Sequence, residues 1–178
     1  MSKNCTLEEI AGLLLKNGSF VLCPHVSPDG DALGSTLALK MALEKAGKQV
    51  TVMVDDDVPK AFGFLPQLDS FVKPDVDNPV VADLLVVLDA SSLDRIGKVA
   101  QAVKYNAMVN IDHHISNTQY ADYLYLNTEA AATGEILCTL VEKLDVRLRL
   151  HGEVSFQLCA FRKERDITVK DIDLLPLP

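Results

Sequence analysis

No C-x-x-C pair occurs among the four cysteines of this 178-residue chain. Cysteines so far apart lack the spacing of zinc or redox motifs, so we expect reduced thiols, with Cys23 and Cys138 buried in apolar runs. No uninterrupted run of about 18 apolar residues is present, which argues against a membrane-spanning helix. The first residues also lack the basic-then-apolar pattern of a signal peptide. These absences predict a soluble protein of the cytoplasm.

Basic residues are outnumbered, with 17 Lys and Arg against 25 Asp and Glu and a net charge of −8. A negative surface argues against electrostatic capture of a long nucleic-acid backbone, which needs a basic stripe. It does not exclude a small phosphorylated substrate, because bound metal ions can supply positive charge. Hydrophobic residues make up 48% of the chain, enough for the core of one compact domain.

Short apolar runs alternate with helical patterns along the chain. The first helix is predicted to follow a capping box formed by Thr6 and Glu9. Further helices are predicted at 32–46, 93–103 and 130–144. Strands are predicted at 20–23, 50–54, 84–88 and 108–111. This alternation predicts the α/β class, with a parallel β-sheet and helices on both faces.

Acidic and histidine residues follow three of the predicted strands. They are His25, Asp29 and Asp31 after the first strand, Asp89 after the third, and Asp112, His113 and His114 after the fourth. Because the carboxyl ends of parallel strands meet at one sheet edge, we expect these side chains to converge. Carboxylate and imidazole ligands without a thiolate suit Mn²⁺, Mg²⁺ or a similar ion. The set is too large for one tetrahedral zinc and fits two ions that share a bridging carboxylate.

Each of these residues, taken alone, also has a structural interpretation. A single Asp at a strand end is more often a helix N-cap or a turn residue, and a histidine pair is more often a surface feature. The combination of H-x-x-x-D-x-D, a strand-final Asp and D-H-H favours the metal site. The acidic run at 55–57 is interpreted as a solvated turn, and His151 as structural or exposed.

The same residues resemble the motifs of the DHH phosphoesterase superfamily. The stretch at 25–35, H-V-S-P-D-G-D-A-L-G-S, resembles its first motif, Leu88-Asp89 its second, and the D-H-H run at 112–114 the motif that names it. The wording P-D-G-D-A-L-G-S is similar to the RecJ-like branch of bacterial bifunctional nanoRNases and pAp phosphatases. The resemblance covers about residues 5–147 and implies the fold of the family's N-terminal catalytic domain.

The resemblance implies a divalent-metal-dependent phosphoesterase that hydrolyses short oligonucleotides, pAp or both by hydroxide attack at two metals. The implied cofactor is a pair of Mn²⁺ ions, with Mg²⁺ or Co²⁺ as alternatives. His25 and Asp29 would hold one ion, Asp31 and His113 would hold the other, and Asp89 would bridge the two.

Three further roles are implied by the same resemblance. His114 would be catalytic and would face the substrate phosphate, either stabilising charge or helping the leaving group. Asp112 would orient the two histidines without touching a metal, as histidine ligands usually require. Ser35 would contact the substrate.

The chain departs from the family pattern after about Arg147. Family members carry a fourth motif, an Asp in a D-T-G or D-C-G setting, and neither tripeptide occurs here. Asp166 stands at a comparable distance, but in the setting E-R-D-I-T. We therefore expect a catalytic domain at 1–147 and, at 148–178, an atypical tail that is truncated or rearranged and replaces the family's substrate-gripping second domain.

Three interpretations of function stay open. The first is an active phosphoesterase, and the second is a catalytically impaired nucleotide- or metal-binding module that lacks the fourth motif. The third is another substrate of the superfamily, such as pyrophosphate or a cyclic dinucleotide. The missing second domain would leave apolar surface uncovered, so association into a homodimer is a further expectation.

Overall fold

The structure, a computed structural model, describes residues 2–144. The predicted tail at 148–178, with His151 and Asp166, lies outside these residues. The elements in chain order are β1 (Lys3–Asn4), α1 (Leu7–Lys16), β2 (Ser19–Pro24), α2 (Gly30–Lys45), β3 (Gln49–Val52), β4 (Val80–Val81), β5 (Leu84–Leu88), β6 (Val103–Lys104), β7 (Ala107–Asp112), β8 (Tyr123–Leu126) and α3 (Thr133–Lys143). Short 3₁₀ helices lie at Lys60–Phe62, Leu68–Ser70, Leu93–Ile96 and Val99–Gln101.

Six strands form one sheet in the order β1-β8-β7-β5-β2-β3, and every neighbouring pair in it is parallel. The chain moves outward from β2 to β3 and then returns to place β5 on the other side of β2. Parallel sheets bind ligands outside the carboxyl ends of their strands at such a reversal. The predicted parallel α/β sheet is confirmed, and its reversal lies between the strands that precede His25 and Asp89.

The α-helices cover one face of the sheet, and 3₁₀ helices lie on the other. Phe20 and Val86 face the core on which all three α-helices pack. Val21 and Val87 face the opposite side, where Ile96 of a 3₁₀ helix is among the buried residues. Because both faces are covered, the central strands are apolar along their whole length, and all five residues of β5 are buried.

The predicted capping box at the start of α1 is confirmed. The Thr6 hydroxyl accepts from the Glu9 backbone N–H at 3.2 Å, and the Glu9 carboxylate accepts from the Thr6 N–H at 2.8 Å. The second helix begins at Gly30, two residues earlier than predicted, because Asp29 caps it by accepting from the Ala32 N–H at 3.0 Å.

The prediction of an α-helix at 93–103 is wrong. The segment forms two short 3₁₀ helices, separated at Gly97, whose φ of +56° interrupts a right-handed helix and favours glycine. The next backbone N–H, of Lys98, donates to the side chain of Asp55 at 2.9 Å and so is not used in a helical hydrogen bond. The partner that ends this helix comes from a distant loop, which local periodicity does not register.

The predicted burial of Cys138 is also wrong, while Cys23 is buried as expected. Helix α3 turns Ile136, Leu137 and Leu140 into the core, and the helical period then places Cys138 on the exposed side. Within residues 2–144, no helix combines the length and hydropathy needed to cross a bilayer.

Candidate metal centre

The carboxyl edge of the sheet brings together the acidic and histidine residues that the sequence analysis selected. His25 follows β2, Asp89 follows β5, and the histidine pair follows β7. Asp29 and Asp31 arrive from the other direction, at the start of α2. Segments separated by about 90 residues of chain therefore meet at one point, as the parallel topology predicts.

Asp89 lies at the centre of this group and is only 3% exposed. Its backbone has a φ of +60°, which is uncommon for a residue other than glycine but is tolerated best by Asp and Asn. Burial, and then the neighbouring charges of Asp31 and Asp29, raise the pKa of Asp89 to about 6, although the hydrogen bond from Thr133 opposes this rise. A strained backbone and a buried carboxylate of raised pKa at one position are typical of a functional residue.

Two groups of side chains that could each hold a cation share Asp89. The first contains His25, Asp29 and Asp89, with ligand atoms within 4.8 Å of one another. His25 Nε2 lies 3.8 Å from Asp29 Oδ1 and 3.8 Å from Asp89 Oδ2. These separations are too long for hydrogen bonds and leave room for an ion between the ligand atoms.

The second group contains Asp89, His113 and His114. His113 Nε2 lies 3.6 Å from Asp89 Oδ1 and 3.9 Å from Asp31 Oδ2, so Asp31 borders the same space. The other ring nitrogen of His113 lies 3.2 Å from the carbonyl of Ala130. A proton on that nitrogen leaves Nε2 with its lone pair directed at the two carboxylates.

His114 differs from His113 because its inner nitrogen already has a partner. Nδ1 of His114 lies 2.7 Å from Asp112 Oδ1 and 3.7 Å from Asp89 Oδ1. Burial alone would lower the pKa of His114, but the hydrogen bond to Asp112 and the charges of Asp112, Asp89 and Asp31 raise it overall. The Nδ1 that contacts Asp112 is therefore a proton donor, and this ring is better suited to donate a proton than to bind a metal.

Asp112 is held by the half-buried amide of Asn117, which also contacts the buried Asn110. Asn117 donates to Asp112 Oδ2 at 2.6 Å and to Asn110 Oδ1 at 2.8 Å, so both hydrogens of its amide group are used. Asn110 and Asp112 are both fully buried. The sequence analysis did not select Asn110 or Asn117, although the polar Asn110 inside an apolar strand was a signal that could have been followed.

Asp31 has a structural contact that the sequence did not indicate. Its two carboxylate oxygens accept from the backbone N–H groups of Thr133 and Gly134, each at 2.8 Å. These are the first residues of α3, whose own N-cap residue, Ala132, provides no side-chain cap. Asp31 therefore caps a helix that begins 102 residues later, where the negative charge also complements the helix dipole.

Ser35 is fully buried, and its hydroxyl donates to Asp31 Oδ1 at 3.3 Å. Its contact with substrate stays a prediction.

The acidic run at 55–57 does more than face solvent, because Asp56 accepts from both the backbone N–H and the hydroxyl of Ser27, at 2.8 and 2.9 Å. This contact holds the loop between His25 and Asp29, where Ser27 has a φ of +52°.

The residues present fit a pair of divalent cations. Asp29, Asp31 and Asp89 point into one space, and the pKa of Asp89 is raised first by burial and then by the charges of Asp31 and Asp29, which a cation would offset. Nitrogen and carboxylate oxygen ligands with no thiolate suit Mn²⁺ and related ions rather than a structural zinc.

Comparison with known proteins assigns the chain to a family. Residues 19–167 match the family described as DHH family, N-terminal domain. The chain belongs to the DHH family.

Two relatives carry the same name. The chain is 33% identical over 129 residues to the bifunctional oligoribonuclease and PAP phosphatase NrnA of Thermus thermophilus, covering 72% of this chain and 38% of that protein. It is 29% identical over 142 residues to the probable bifunctional oligoribonuclease and PAP phosphatase NrnA of Streptococcus mutans, covering 80% of this chain and 44% of that protein. The chain thus spans about two-fifths of the length of these relatives.

The fold is also present in solved structures. An exopolyphosphatase-related protein from Bacteroides fragilis superimposes with a TM-score of 0.74 at 23% identity, over 86% of this chain and 47% of that one. The similarity supports the α/β architecture of the described residues.

Proposed function

We propose that this chain is a divalent-metal-dependent phosphoesterase that hydrolyses short oligonucleotides, pAp or both. The observation that carries the proposal is that one buried carboxylate, Asp89, belongs to both groups of potential metal ligands. Membership of the DHH family and similarity to proteins named as oligoribonuclease and PAP phosphatase support the choice of substrate. A cytoplasmic location and a homodimer stay predictions.

The ligands divide into two sets around Asp89. His25 and Asp29 would hold one ion, and Asp31 and His113 would hold the other. We prefer Asp31 to His114 in the second set because His114 Nδ1 is already engaged by Asp112 at 2.7 Å. Asp31 Oδ2, the oxygen that lies 3.9 Å from His113 Nε2, accepts one hydrogen bond, from the Thr133 N–H, so a lone pair remains for a cation.

Two bound divalent ions, for which we propose Mn²⁺, would supply the Lewis acidity that activates water and neutralises the phosphate. The residues of the chain then have separate tasks. Asp112 holds the proton of His114 on Nδ1 and fixes the ring, whose side chain is 43% exposed at the site. His114 can thereby present a positive charge to the substrate phosphate or donate a proton to the leaving oxygen.

The test is hydrolysis of pAp and of a short RNA with added Mn²⁺, comparing wild type with Asp89→Asn. Loss of a Mn²⁺-dependent activity in the variant supports the proposal. The matched control is Asp69→Asn, which removes one carboxylate at an exposed position that belongs to neither group of potential ligands and should retain activity. Equal activity in wild type and Asp89→Asn would refute the assignment.

The second proposal is a catalytically impaired nucleotide- or metal-binding module. It is motivated by the absence of a D-T-G or D-C-G tripeptide from the 178 residues. Such a protein would bind Mn²⁺ through Asp89 without measurable turnover. Turnover of pAp by the wild type separates the two proposals, and loss of that turnover in Asp166→Ala would support Asp166 as the residue that replaces the missing ligand.

A further inference from the structure

Arg95 is the only arginine among residues 2–144, and it lies beside the candidate metal centre. It belongs to the 3₁₀ helix at Leu93–Ile96, shortly after Asp89. Its backbone carbonyl accepts from the Val26 N–H at 2.6 Å, which joins this helix to the loop that follows β2. Its exposed side chain extends back toward the site and places Nη2 3.2 Å from Nδ1 of His25.

The two neighbours of His25 Nδ1 require opposite protonation of that nitrogen. The carbonyl of Val26, at 2.7 Å, can only accept and therefore needs a proton on Nδ1. The guanidinium of Arg95 can only donate and therefore needs a lone pair on Nδ1. Because one nitrogen cannot satisfy both, only one of the two contacts can be a hydrogen bond at a time.

Metal binding by His25 decides whether Val26 or Arg95 forms the hydrogen bond with Nδ1. The other nitrogen, Nε2, faces Asp29 and Asp89, and it needs its own lone pair to bind a cation. The proton of the neutral ring then sits on Nδ1 and is donated to Val26. The guanidinium of Arg95 is left facing an N–H group, and within residues 2–144 no carboxylate lies at ion-pair distance from it.

We infer that Arg95 binds a phosphate oxygen of the substrate at the edge of the metal site. This inference rests on the proposed phosphoesterase function and names a residue that recognises the substrate. A guanidinium offers paired N–H donors that match two oxygens of a phosphate group. Arg95 lies at Nδ1 of His25, whereas Asp29 and Asp89 lie at Nε2, so Arg95 would contact a phosphate group without displacing a ligand.

The inference is tested with Arg95→Gln and Arg95→Lys, measuring KM and kcat for pAp with Mn²⁺. We expect Arg95→Gln to raise KM roughly 10- to 100-fold, the loss expected for a charge-assisted hydrogen bond, and to change kcat much less. Arg95→Lys keeps the charge but not the paired donors, so its KM should lie between those of wild type and Arg95→Gln. The control is Lys98→Gln, which removes a positive charge from an exposed side chain three residues away.

Calorimetric titration with Mn²⁺ alone shows whether Arg95 binds the substrate or positions the metal ligand His25. We expect wild type and Arg95→Gln to bind Mn²⁺ with affinities within about threefold, since the proposed contact is with phosphate. A loss of Mn²⁺ affinity as large as the rise in KM would overturn the inference and make Arg95 a residue that positions His25. An unchanged KM would overturn it as well.

Binding of inorganic phosphate to the Mn²⁺-loaded protein distinguishes failure of this inference from failure of the proposed function. Absence of pAp hydrolysis in wild type would remove the proposed function, yet Arg95-dependent phosphate binding would still support the anion site. Phosphate binding that is equal in Arg95→Gln, or absent from wild type, would overturn the inference even if hydrolysis is observed.

Discussion

The hydroxyl of Thr133 donates a hydrogen bond of 2.9 Å to Asp89 Oδ1, and both side chains are buried. The contact joins the first residue of α3 to the residue that follows β5, so helix position and carboxylate orientation are linked. It also lowers the pKa of Asp89, against the larger effects of burial and of the Asp31 charge. The hydrogen bond therefore favours the charged form of Asp89, which binds cations.

Replacing Thr133 by Val should weaken both stability and metal binding. The substitution keeps the shape of the side chain but removes the donor, which leaves a buried carboxylate oxygen without this partner. We expect a loss of about 1–3 kcal/mol in the free energy of unfolding without metal. Mn²⁺ affinity should fall several-fold, because the pKa of Asp89 rises further. Urea denaturation in EDTA and calorimetry with Mn²⁺ measure the two effects.

Thr133→Ser is the control, since it keeps the hydroxyl. Its Mn²⁺ affinity should stay close to that of wild type, even if the lost methyl group costs some stability. Equal Mn²⁺ affinities in Thr133→Val and Thr133→Ser would show that the hydrogen bond to Asp89 does not affect the metal site.

Asp89→Asn should stabilise the metal-free protein while removing metal binding. The folded-state pKa of about 6 lies above the ordinary value of 3.8, so the folded protein holds this proton more tightly than the unfolded chain. The stability that Asp89 contributes is therefore complete below about pH 4 and is lost as the pH rises through about 6. Asparagine also tolerates a positive φ and can still accept the hydrogen bond from Thr133.

Urea denaturation from pH 4 to 8 in EDTA measures this difference. Near pH 7.5 the variant should be more stable than wild type by roughly 2–3 kcal/mol, the energy that corresponds to a shift of about two pKa units. The difference should shrink toward pH 4. Saturating Mn²⁺ should reverse the order, because only wild type gains stability from binding. A difference that does not vary with pH would contradict the raised pKa of Asp89.

Asp31→Ala should destabilise the protein even where no metal is bound. The substitution leaves the backbone N–H groups of Thr133 and Gly134, at the start of α3, without their acceptors. Loss of a helix cap of this kind costs about 0.5–2 kcal/mol. Urea denaturation in EDTA isolates this effect, and Asp69→Ala at an exposed position provides the control. The comparison is made near pH 4, where protonated Asp89 is not repelled by Asp31, and stability equal to wild type there would contradict the capping role of Asp31.

The sequence predicted the members of the candidate metal centre better than their supporting contacts. Asp89 and the histidine pair could be selected because each follows a short apolar strand, and a parallel sheet places all such strand ends together. The capping contact of Asp31 could not be predicted, because it joins residues 102 positions apart whose proximity depends on how α2 and α3 pack. The same applies to Asp55, which ends a predicted helix from a distant loop.

The irregular segments limited the prediction of the fold. Strands β2, β3, β5 and β7 and the three α-helices show apolar runs or helical patterns, and the structure contains them with shifts of a few residues. Strand β8 was missed because Tyr123–Leu126 is short and only one of its residues is fully buried. Arg95 was missed for a different reason, since a single exposed arginine has no pattern until the fold places it beside His25.

Asn117→Asp should reduce activity without removing metal binding. The new carboxylate would stand where an amide now donates to Asp112 at 2.6 Å and to Asn110 at 2.8 Å. Two part-buried hydrogen bonds become repulsive contacts, and Asp112 can then no longer hold His114 in one orientation. We expect kcat for pAp to fall at least tenfold and stability to fall by about 2 kcal/mol or more. Mn²⁺ affinity should change little, because the proposed ligand atoms do not contact Asn117.

The matched control for this change is Asn78→Asp. Asn78 also donates to a carboxylate, that of Asp75 at 2.9 Å, but in an exposed turn where water screens the repulsion. It should leave kcat and Mn²⁺ affinity unchanged. If Asn117→Asp lowered Mn²⁺ affinity as strongly as kcat, the amide chain would support the metal ligands, and His114 would lose its separate role. A selective loss of kcat would instead place His114 at the substrate, held there by Asp112 and Asn117.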